Sequence, residues 1–203
     1  MKKLVIASNN EGKIKEIKKV LSDIAIEVFS LRDMGIDIDV EEDGLTFEDN
    51  AKKKSVEIYK ELMRKSESDF IVMSDDSGLE VEYLNGEPGV FSARYSGEHG
   101  NDKKNNEKLL LNLSGIDYKD RKARFVCQLA IINDKNEYRS VIGTVDGYIL
   151  EKETGVGGFG YDPLFFYEPL NKSFAELSIE EKNKISHRGV ALQKVKGIIK
   201  ELL

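Results

Sequence analysis

Apolar residues along the chain follow two different periods, and the order of these periods predicts alternating strands and helices. Residues 3–8 form a short apolar run typical of a buried strand, and apolar residues then recur at helical spacing from Ile14 to Leu21. A second strand is predicted near residues 26–31, followed by an acidic loop over 37–44. Asp49 follows Thr46 by three residues, so the pair predicts a capped helix start, and this helix should end near Lys65.

The same alternation continues through the rest of the chain. Further strands are predicted over 70–73 and 79–84, with the acidic pair Asp75-Asp76 at the exit of the first. A helix over about 102–113 precedes a long hairpin of residues 124–132 and 138–150, and Ser178 with Glu181 predicts the capped start of a further helix. Strands and helices in this order predict an α/β fold, a mixed β-sheet flanked by helices, in one domain over residues 1–203.

Composition narrows the possible class of protein. Hydrophobic residues make up 40% of the chain and charged residues 33%, as in an ordinary globular protein. The formal net charge of −6 argues against a general nucleic-acid-binding surface, and no apolar run approaches the roughly 20 residues that a membrane span needs. The apolar run after Met1 is too short for a signal peptide, so we expect a cytoplasmic protein. The single Cys127 lies in a strand-like segment, which favours a buried core residue.

The segment Ser8-Asn9-Asn10-Glu11-Gly12-Lys13 joins the first strand to the first helix. A helix start offers backbone N–H groups and the positive end of a dipole, and a lysine adds a mobile charge, so this turn suits a phosphate group. It is not a Walker motif, because the glycine spacing and the Gly-Lys-Ser/Thr ending are missing. The alternative is that Ser8 or Asn10 only caps the helix and that Lys13 is solvated.

The segment Asp75-Asp76-Ser77-Gly78 places two adjacent carboxylates after an apolar strand. Adjacent strand residues point to opposite faces, so one carboxylate can face an active site while the other organises the segment. Oxygen ligands suit magnesium, and Glu41 or Glu42 in the acidic loop could complete a site shared with phosphates. The alternative is an Asx-type turn without a ligand.

Two later segments could bind a base. Gly157-Gly158-Phe159-Gly160-Tyr161-Asp162-Pro163 can bring aromatic faces against a planar ring, with Asp162 accepting from a ring N–H. The alternative is a turn whose aromatic side chains pack into the core. Ser186-His187-Arg188-Gly189 places positive charge in the first turn of a helix, which is locally unfavourable and therefore typical of a ligand site. For His187 the alternative is a polar surface or capping residue.

Taken together, these segments resemble the inosine/xanthosine triphosphate pyrophosphatase family. The matching pieces include Ser8-x-Asn10-x-x-Lys13, Glu41-Glu42-x-Gly44-Leu45-Thr46-Phe47, Asp75-Asp76-Ser77-Gly78-Leu79, residues 86–97, residues 157–163 and Ser186-His187-Arg188-Gly189. Their order and spacing run through nearly the whole chain. Asn9 stands where small residues such as glycine are common in the family, and Tyr161 stands where some members carry tryptophan.

The resemblance implies a homodimer whose protomers have an elongated mixed sheet and two lobes, with the nucleotide in a central cleft. It implies hydrolysis of the triphosphates of inosine, deoxyinosine and xanthosine to monophosphate and pyrophosphate. Glu41 and Asp76 would bind Mg²⁺, and Asp76 would be the catalytic proton acceptor. The substrate-binding residues would be Ser8, Asn9, Asn10, Glu11, Gly12, Lys13, Ser77, Phe159, Gly160, Tyr161, Asp162, Lys182, His187 and Arg188.

Within this hypothesis, Lys13 and Lys182 are expected to be exposed cations whose replacement weakens triphosphate use and spares stability. Donors near His187 and Arg188 are expected to recognise the 6-oxo group of the base, because an amino group would leave them unpaired. The alternatives are a similar pyrophosphatase for other modified bases, such as methylated pyrimidines, and a non-catalytic nucleotide sensor. A sensor would not need the carboxylates of Asp75 and Asp76.

Overall fold

The computed structural model describes residues 2–202, and its elements follow the predicted order with few differences. The helices are α1 (Glu11–Val20), α2 (Phe47–Arg64), α3 (Asp102–Asn112), α4 (Ile179–Ile185) and α5 (His187–Leu202). The strands are β1 (Lys3–Ala7), β2 (Glu27–Ser30), β3 (Phe70–Val81), β4 (Lys122–Asn133), β5 (Tyr138–Ile149), β6 (Phe165–Tyr167) and β7 (Lys172–Ser173). The Thr46 and Ser178 side chains accept hydrogen bonds from the backbone three residues on, as the capping patterns predict.

The strands form one mixed sheet in the order β2-β1-β3-β4-β5-β6-β7. Strand β1 pairs in parallel with both β2 and β3, whereas β6 pairs antiparallel with β5 and with β7. Strands β4 and β5 are neighbours joined by residues 134–137, which confirms the predicted hairpin. The α/β class and the mixed sheet flanked by helices are therefore confirmed.

Strand β3 differs from the prediction. Two strands separated by an acidic turn were expected, but residues 70–81 form one continuous strand that includes Asp75 and Asp76. The predicted exit of the strand at the acidic pair is therefore wrong, and so is the Asx-turn alternative. The physical reason is that lysine side chains from two helices contact these carboxylates, so the pair is buried inside the sheet without a turn to expose it.

The described chain divides into two compact units. Unit 1 comprises residues 2–76, 127–143 and 189–202, and unit 2 comprises residues 77–126 and 144–188. Unit 1 contains two apolar clusters, one built around α1 and α5 and one around α2, whereas unit 2 contains a cluster rich in aromatic residues. Within residues 2–202, no helix has both the length and the apolar character that crossing a membrane requires.

Candidate active site

The turn after β1 is organised by its own polar side chains. Ser8 Oγ accepts a hydrogen bond from the Asn10 backbone N–H at 3.2 Å, and Asn10 Oδ1 accepts from the Lys13 backbone N–H at 3.0 Å. Asn10 is thus the N-cap of α1, which is the local role that the structural alternative assigned to it. The positive end of the α1 dipole lies at this turn, where Asn9, Asn10 and Glu11 are exposed. Phosphate binding by residues 8–13 stays a prediction.

Lys13 is not a solvated surface lysine. Its Nζ lies 2.6 Å from Asp75 Oδ1, and its side chain is only 15% exposed. The expectation of an exposed cation is therefore wrong, because a buried carboxylate inside β3 draws the ammonium group toward the sheet. A lysine held in this way keeps its positive charge at a fixed place at the start of α1.

Asp75 and Asp76 extend to opposite faces of β3, as strand geometry requires. Asp75 lies on the face of Ile71 and Met73, where it contacts Lys13 from α1 and the Cys127 thiol at 3.3 Å. Asp76 lies on the face of Phe70 and Val72, which packs against α2. Cys127 is fully buried, as predicted.

Lys54 is the residue that sequence reasoning missed. Its Nζ contacts three acceptors: Glu42 Oε1 at 2.5 Å, the Asp75 carbonyl oxygen at 2.8 Å and Asp76 Oδ1 at 3.3 Å. A signal for it existed in the sequence, because Lys54 lies on the same helical stripe as the core residues Ala51, Ile58 and Leu62. A lysine in a buried stripe requires a carboxylate partner nearby.

Asn50 completes the surroundings of Asp76. Its Nδ2 donates to Asp76 Oδ2 at 3.2 Å, and its Oδ1 accepts from the Gly44 backbone N–H at 2.8 Å. This side chain therefore ties the acidic loop to the candidate catalytic carboxylate. Gly44 has to be glycine here, because a Cβ atom would lie 2.6 Å from Asn50 Oδ1.

The candidate catalytic carboxylate lies in a cluster of charged groups with little exposure. The carboxylates of Glu42, Asp75 and Asp76 contact the two ammonium groups of Lys13 and Lys54. Burial raises the pKa of Asp76, with Glu42 adding to the effect, although Lys54 and Lys13 oppose it. Burial works against the charge of Lys54 as well, but the carboxylates of Asp76 and Glu42 outweigh it and raise the pKa of Lys54.

A hard divalent cation would fit carboxylate oxygen atoms such as those of Asp76 and Glu41. Asp76 is buried in the cluster, whereas Glu41 lies exposed in the acidic loop. Glu42, the other carboxylate considered for the metal, is held by Lys54. Among residues 2–202, no group of three or more His, Cys, Asp or Glu side chains is placed to hold a metal ion.

The second group of candidate residues lies in unit 2 and is centred on a buried ion pair. Lys182 Nζ lies 2.6 Å from Asp162 Oδ2, and both side chains are less than 5% exposed. The same oxygen accepts from the Phe159 backbone N–H at 2.9 Å. The expectation that Lys182 is an exposed cation is therefore wrong: its charge is neutralised inside the fold by Asp162.

The two aromatic residues of the glycine-rich loop have different surroundings. The ring of Phe159 is half-buried, with Lys182 Nζ 4.6 Å and Arg188 Cζ 5.6 Å from its centroid. Tyr161 is 5% exposed within the aromatic cluster of unit 2, and its hydroxyl donates to the Ser92 carbonyl at 2.8 Å. This placement favours the core-packing alternative for Tyr161, whose contact with a base stays a prediction. For Phe159 a stacking role also stays a prediction.

His187 and Arg188 begin α5, as predicted, and both are buried. The imidazole of His187 stacks on Phe125 with centroids 4.6 Å apart and planes 13° apart. Arg188 Nη2 donates to Ser77 Oγ at 3.2 Å. The surface alternative for His187 is therefore wrong. Within unit 2, the structure brings together the predicted residues Ser77, Phe159, Asp162, Lys182 and Arg188.

Comparisons with known proteins cover almost the whole chain. A family model described as the Ham1 family matches residues 4–198. A relative from Clostridium perfringens named dITP/XTP pyrophosphatase is 57% identical over 203 residues, which are 100% of each chain. Among solved structures, the Staphylococcus aureus Ham1 protein is 43% identical with a TM-score of 0.84 and full coverage of both chains. A Mycobacterium abscessus structure titled nucleoside-triphosphatase / dITP/XTP pyrophosphatase is 40% identical with a TM-score of 0.74, over 95% of this chain and 98% of that one.

Proposed function

Because the chain belongs to the Ham1 family, we propose that it hydrolyses the triphosphates of inosine, deoxyinosine and xanthosine to the monophosphate and pyrophosphate. The observation that carries this proposal is the buried Asp76 carboxylate, which Lys54 and Asn50 contact. A buried carboxylate with a raised pKa and specific charged partners is typical of a catalytic site. The names of the full-length relatives support the same chemistry.

Unit 1 supplies the phosphate chemistry. The N-terminus of α1 and the ammonium group of Lys13 bind the triphosphate, and Lys54 stabilises charge that develops on the phosphate oxygens. Asp76 accepts a proton from the attacking water, whose oxygen bonds to the α-phosphorus as the bond to the β-phosphate bridging oxygen breaks. Pyrophosphate leaves, and the proton remains on Asp76 until solvent removes it.

Asp76 and Glu41 would hold Mg²⁺, which would supply positive charge for the triphosphate and lower the pKa of the attacking water. The carboxylate oxygen atoms of these two residues are the kind of ligand that this cation prefers, which supports the assignment. Asn50 orients Asp76 through its Nδ2 and holds the acidic loop through its Oδ1. The two lysines hold their positions through the carboxylates and so need little rearrangement when a triphosphate binds.

Unit 2 supplies the choice of base. Phe159 offers a ring face for stacking, and the donors of His187 and Arg188 recognise a 6-oxo group. The Asp162–Lys182 pair fixes the loop and the lysine before the base arrives. An adenine amino group would leave buried donors unpaired, which is the physical basis for rejecting adenosine triphosphate.

The proposal includes a homodimer. A measurement of the molar mass by light scattering tests this part of the proposal.

Product analysis tests the proposed function. Inosine, xanthosine, adenosine and guanosine triphosphates are incubated with the protein, with and without Mg²⁺, and nucleotide and phosphate products are quantified. The expected result is monophosphate and pyrophosphate from the inosine and xanthosine substrates only when Mg²⁺ is present. Release of inorganic phosphate with a nucleoside diphosphate would overturn the proposed bond cleavage. Binding without any product would indicate a sensor instead.

A further inference from the structure

We propose that Asp75 is a positioning residue that holds Lys13 and Lys54 for the triphosphate. This inference rests on the proposed function. Asp75 is the immediate neighbour of the candidate catalytic carboxylate, but its side chain extends to the opposite face of β3. It therefore contributes to the site through the lysines it contacts.

The carboxylate of Asp75 is fully buried, and both of its oxygens have partners. Oδ1 lies 2.6 Å from Lys13 Nζ, and Oδ2 accepts from the Cys127 thiol at 3.3 Å. A buried carboxylate is tolerated in an apolar cluster only when a cation and further donors compensate for its lost hydration. The pairing therefore constrains both groups: the carboxylate requires the ammonium, and the ammonium stays at the start of α1.

The backbone of Asp75 extends this control to the second lysine. Its carbonyl oxygen accepts from Lys54 Nζ at 2.8 Å and lies 3.4 Å from Lys13 Nζ. One residue thus contacts the ammonium groups of lysines from α1 and α2. Lys54 then reaches Asp76 and Glu42 from this anchored position. The side chain of Asp75 fixes the position of the Lys13 ammonium group, and its backbone carbonyl helps to fix the position of the Lys54 ammonium group.

Such positioning matters because a lysine side chain is a flexible four-carbon chain that loses rotamer entropy when it is ordered. An ammonium group that must be ordered on binding contributes less to triphosphate affinity than one already held in place. The carboxylate keeps Lys13 ordered before substrate binds, while the ammonium retains donors for a phosphate oxygen. Loss of the Asp75 charge should therefore act on substrate binding more than on the chemical step.

Asp75→Asn is the first test, because asparagine keeps the size and the backbone carbonyl but removes the charge. We expect kcat/KM for inosine triphosphate to fall about 10- to 100-fold, mostly through KM, as for loss of a hydrogen bond to a charged group. Asp33→Asn is the matched control. Asp33 pairs with Lys18, which lies on α1 like Lys13, but both side chains of this pair are more than 40% exposed. The control should retain wild-type kinetics.

A double-mutant cycle with Lys13→Met separates positioning from a general structural effect. If Asp75 acts through Lys13, Asp75→Asn should change kcat/KM by less than about 2-fold when Lys13 is already methionine. An equal loss in both backgrounds, or wild-type kinetics in Asp75→Asn, would overturn the inference.

Cys127 provides a second test in case Asp75→Asn does not fold. Cys127→Ala removes the donor to Asp75 Oδ2 and should raise KM about 3-fold. Cys127→Ser keeps a donor and should therefore have the KM of the wild type. Identical KM values for both variants and the wild type would count against the proposal.

Calorimetry with inorganic triphosphate, in the absence of metal, distinguishes this inference from the proposed function. The probe lacks a base and reports phosphate binding without turnover, and Asp75→Asn should weaken its binding about 10-fold or more. If the wild type hydrolyses no nucleotide, the proposed function fails, but the calorimetric comparison still decides the role of Asp75. Equal binding of the probe by both proteins would show that Asp75 does not position the phosphate-binding lysines.

Discussion

At the scale of single residues, burial changes the meaning of a lysine. Lys182 and Lys172 have the same chemistry, but Lys182 is buried against Asp162, whereas the side chain of Lys172 is 43% exposed and lies 3.8 Å from Glu181. An exposed pair contributes little to stability, but removal of one partner from a buried pair leaves an uncompensated charge inside the protein. The sequence shows both lysines as polar residues and does not distinguish these cases.

Lys182→Met should therefore lower the free energy of unfolding by about 3–5 kcal/mol, because it leaves the Asp162 carboxylate buried without its cation. Lys172→Met, the matched control, should change it by about 0.5 kcal/mol or less. Denaturant unfolding measures both values. Adding Asp162→Asn to Lys182→Met should recover part of the lost free energy of unfolding. Equal stability of Lys182→Met and Lys172→Met would show that the buried pair contributes no more to stability than the exposed pair.

Asp76→Asn should reduce turnover of inosine triphosphate by a factor on the order of 1,000 or more, because it removes the proposed proton acceptor and proposed magnesium ligand. The fold should survive, since asparagine fills the same volume and Lys54 retains Glu42 and the Asp75 carbonyl. Circular dichroism and single-turnover kinetics check both points. Asp146→Asn, which alters an exposed partner of Arg124, is the control. Turnover near the wild-type rate in Asp76→Asn would exclude the proposed role.

Tyr161 predicts a dependence of stability on pH. Burial raises the pKa of this hydroxyl above its ordinary value of about 10, and the hydroxyl donates to the Ser92 carbonyl. The unfolded chain therefore loses this proton at a lower pH than the folded chain does. The contribution to stability is complete below about pH 10 and is lost as the pH rises toward the folded-state value.

In Tyr161→Phe, the free energy of unfolding should consequently fall less steeply between about pH 9 and pH 11 than it does in the wild type. Tyr83→Phe is the control, because Tyr83 is 52% exposed and should leave the wild-type slope unchanged. Urea unfolding across this pH range measures the slopes. Parallel curves for Tyr161→Phe and the wild type would contradict the assigned role of burial.

At the scale of elements, hydrophobic periodicity located the helices and most of the strands, but it divided the continuous strand β3 into two. Asp75 and Asp76 were expected at a turn because adjacent charges inside a buried strand are costly. The compensating lysines come from α1 and α2, far along the chain, so the local sequence could not show that the cost is met. The period of two nevertheless predicted correctly that the two carboxylates extend to opposite faces.

The glycine-rich loop of residues 157–163 depends on glycine at one position for two separate reasons. Gly158 has a φ of +74°, and a Cβ atom there would lie 2.1 Å from Asp162 Oδ2, the oxygen that binds Lys182. Gly100 has nearly the same φ, +73°, but open space around the added atom. The two positions therefore separate backbone strain from steric conflict with the ion pair.

Gly100→Ala should cost about 1–2 kcal/mol through its left-handed backbone alone. Gly158→Ala should cost a further 1–3 kcal/mol or so, because the methyl group displaces the Asp162 carboxylate. Thermal unfolding of both variants measures the difference. If Gly100→Ala and Gly158→Ala lose the same stability, the close approach of residue 158 to Asp162 does not contribute to the loss.

At the scale of the whole molecule, the family recognised from scattered motifs is confirmed by the match over residues 4–198. Motifs locate residues that are close in sequence, such as Asn10 with Lys13 and Asp75 with Asp76. They do not show that Lys54 reaches Asp76, because that contact depends on the register of α2 against β3. For the same reason, the buried state of Lys13 and Lys182 could not be predicted.

The division of the chain into two compact units leads to a prediction about specificity. Lys13, Lys54 and Asp76 belong to unit 1 and are proposed to act on phosphates, which all nucleoside triphosphates share. Arg188, with Phe159, belongs to unit 2 and is proposed to act on the base. Variants in the two units should therefore affect different kinetic quantities.

Lys54→Met should lower kcat/KM for inosine, xanthosine and adenosine triphosphates by a common factor, since the lost interaction is with phosphate. Arg188→Gln should instead reduce the preference for inosine over adenosine triphosphate, because it removes a donor that rewards the 6-oxo group and penalises the amino group. Arg124→Gln, an exposed arginine of unit 2, should leave all three efficiencies unchanged. The measurement is kcat/KM for the three substrates in each variant. If Lys54→Met changes the ratio while Arg188→Gln lowers all three equally, the assignment of phosphate and base recognition to these residues must be reversed.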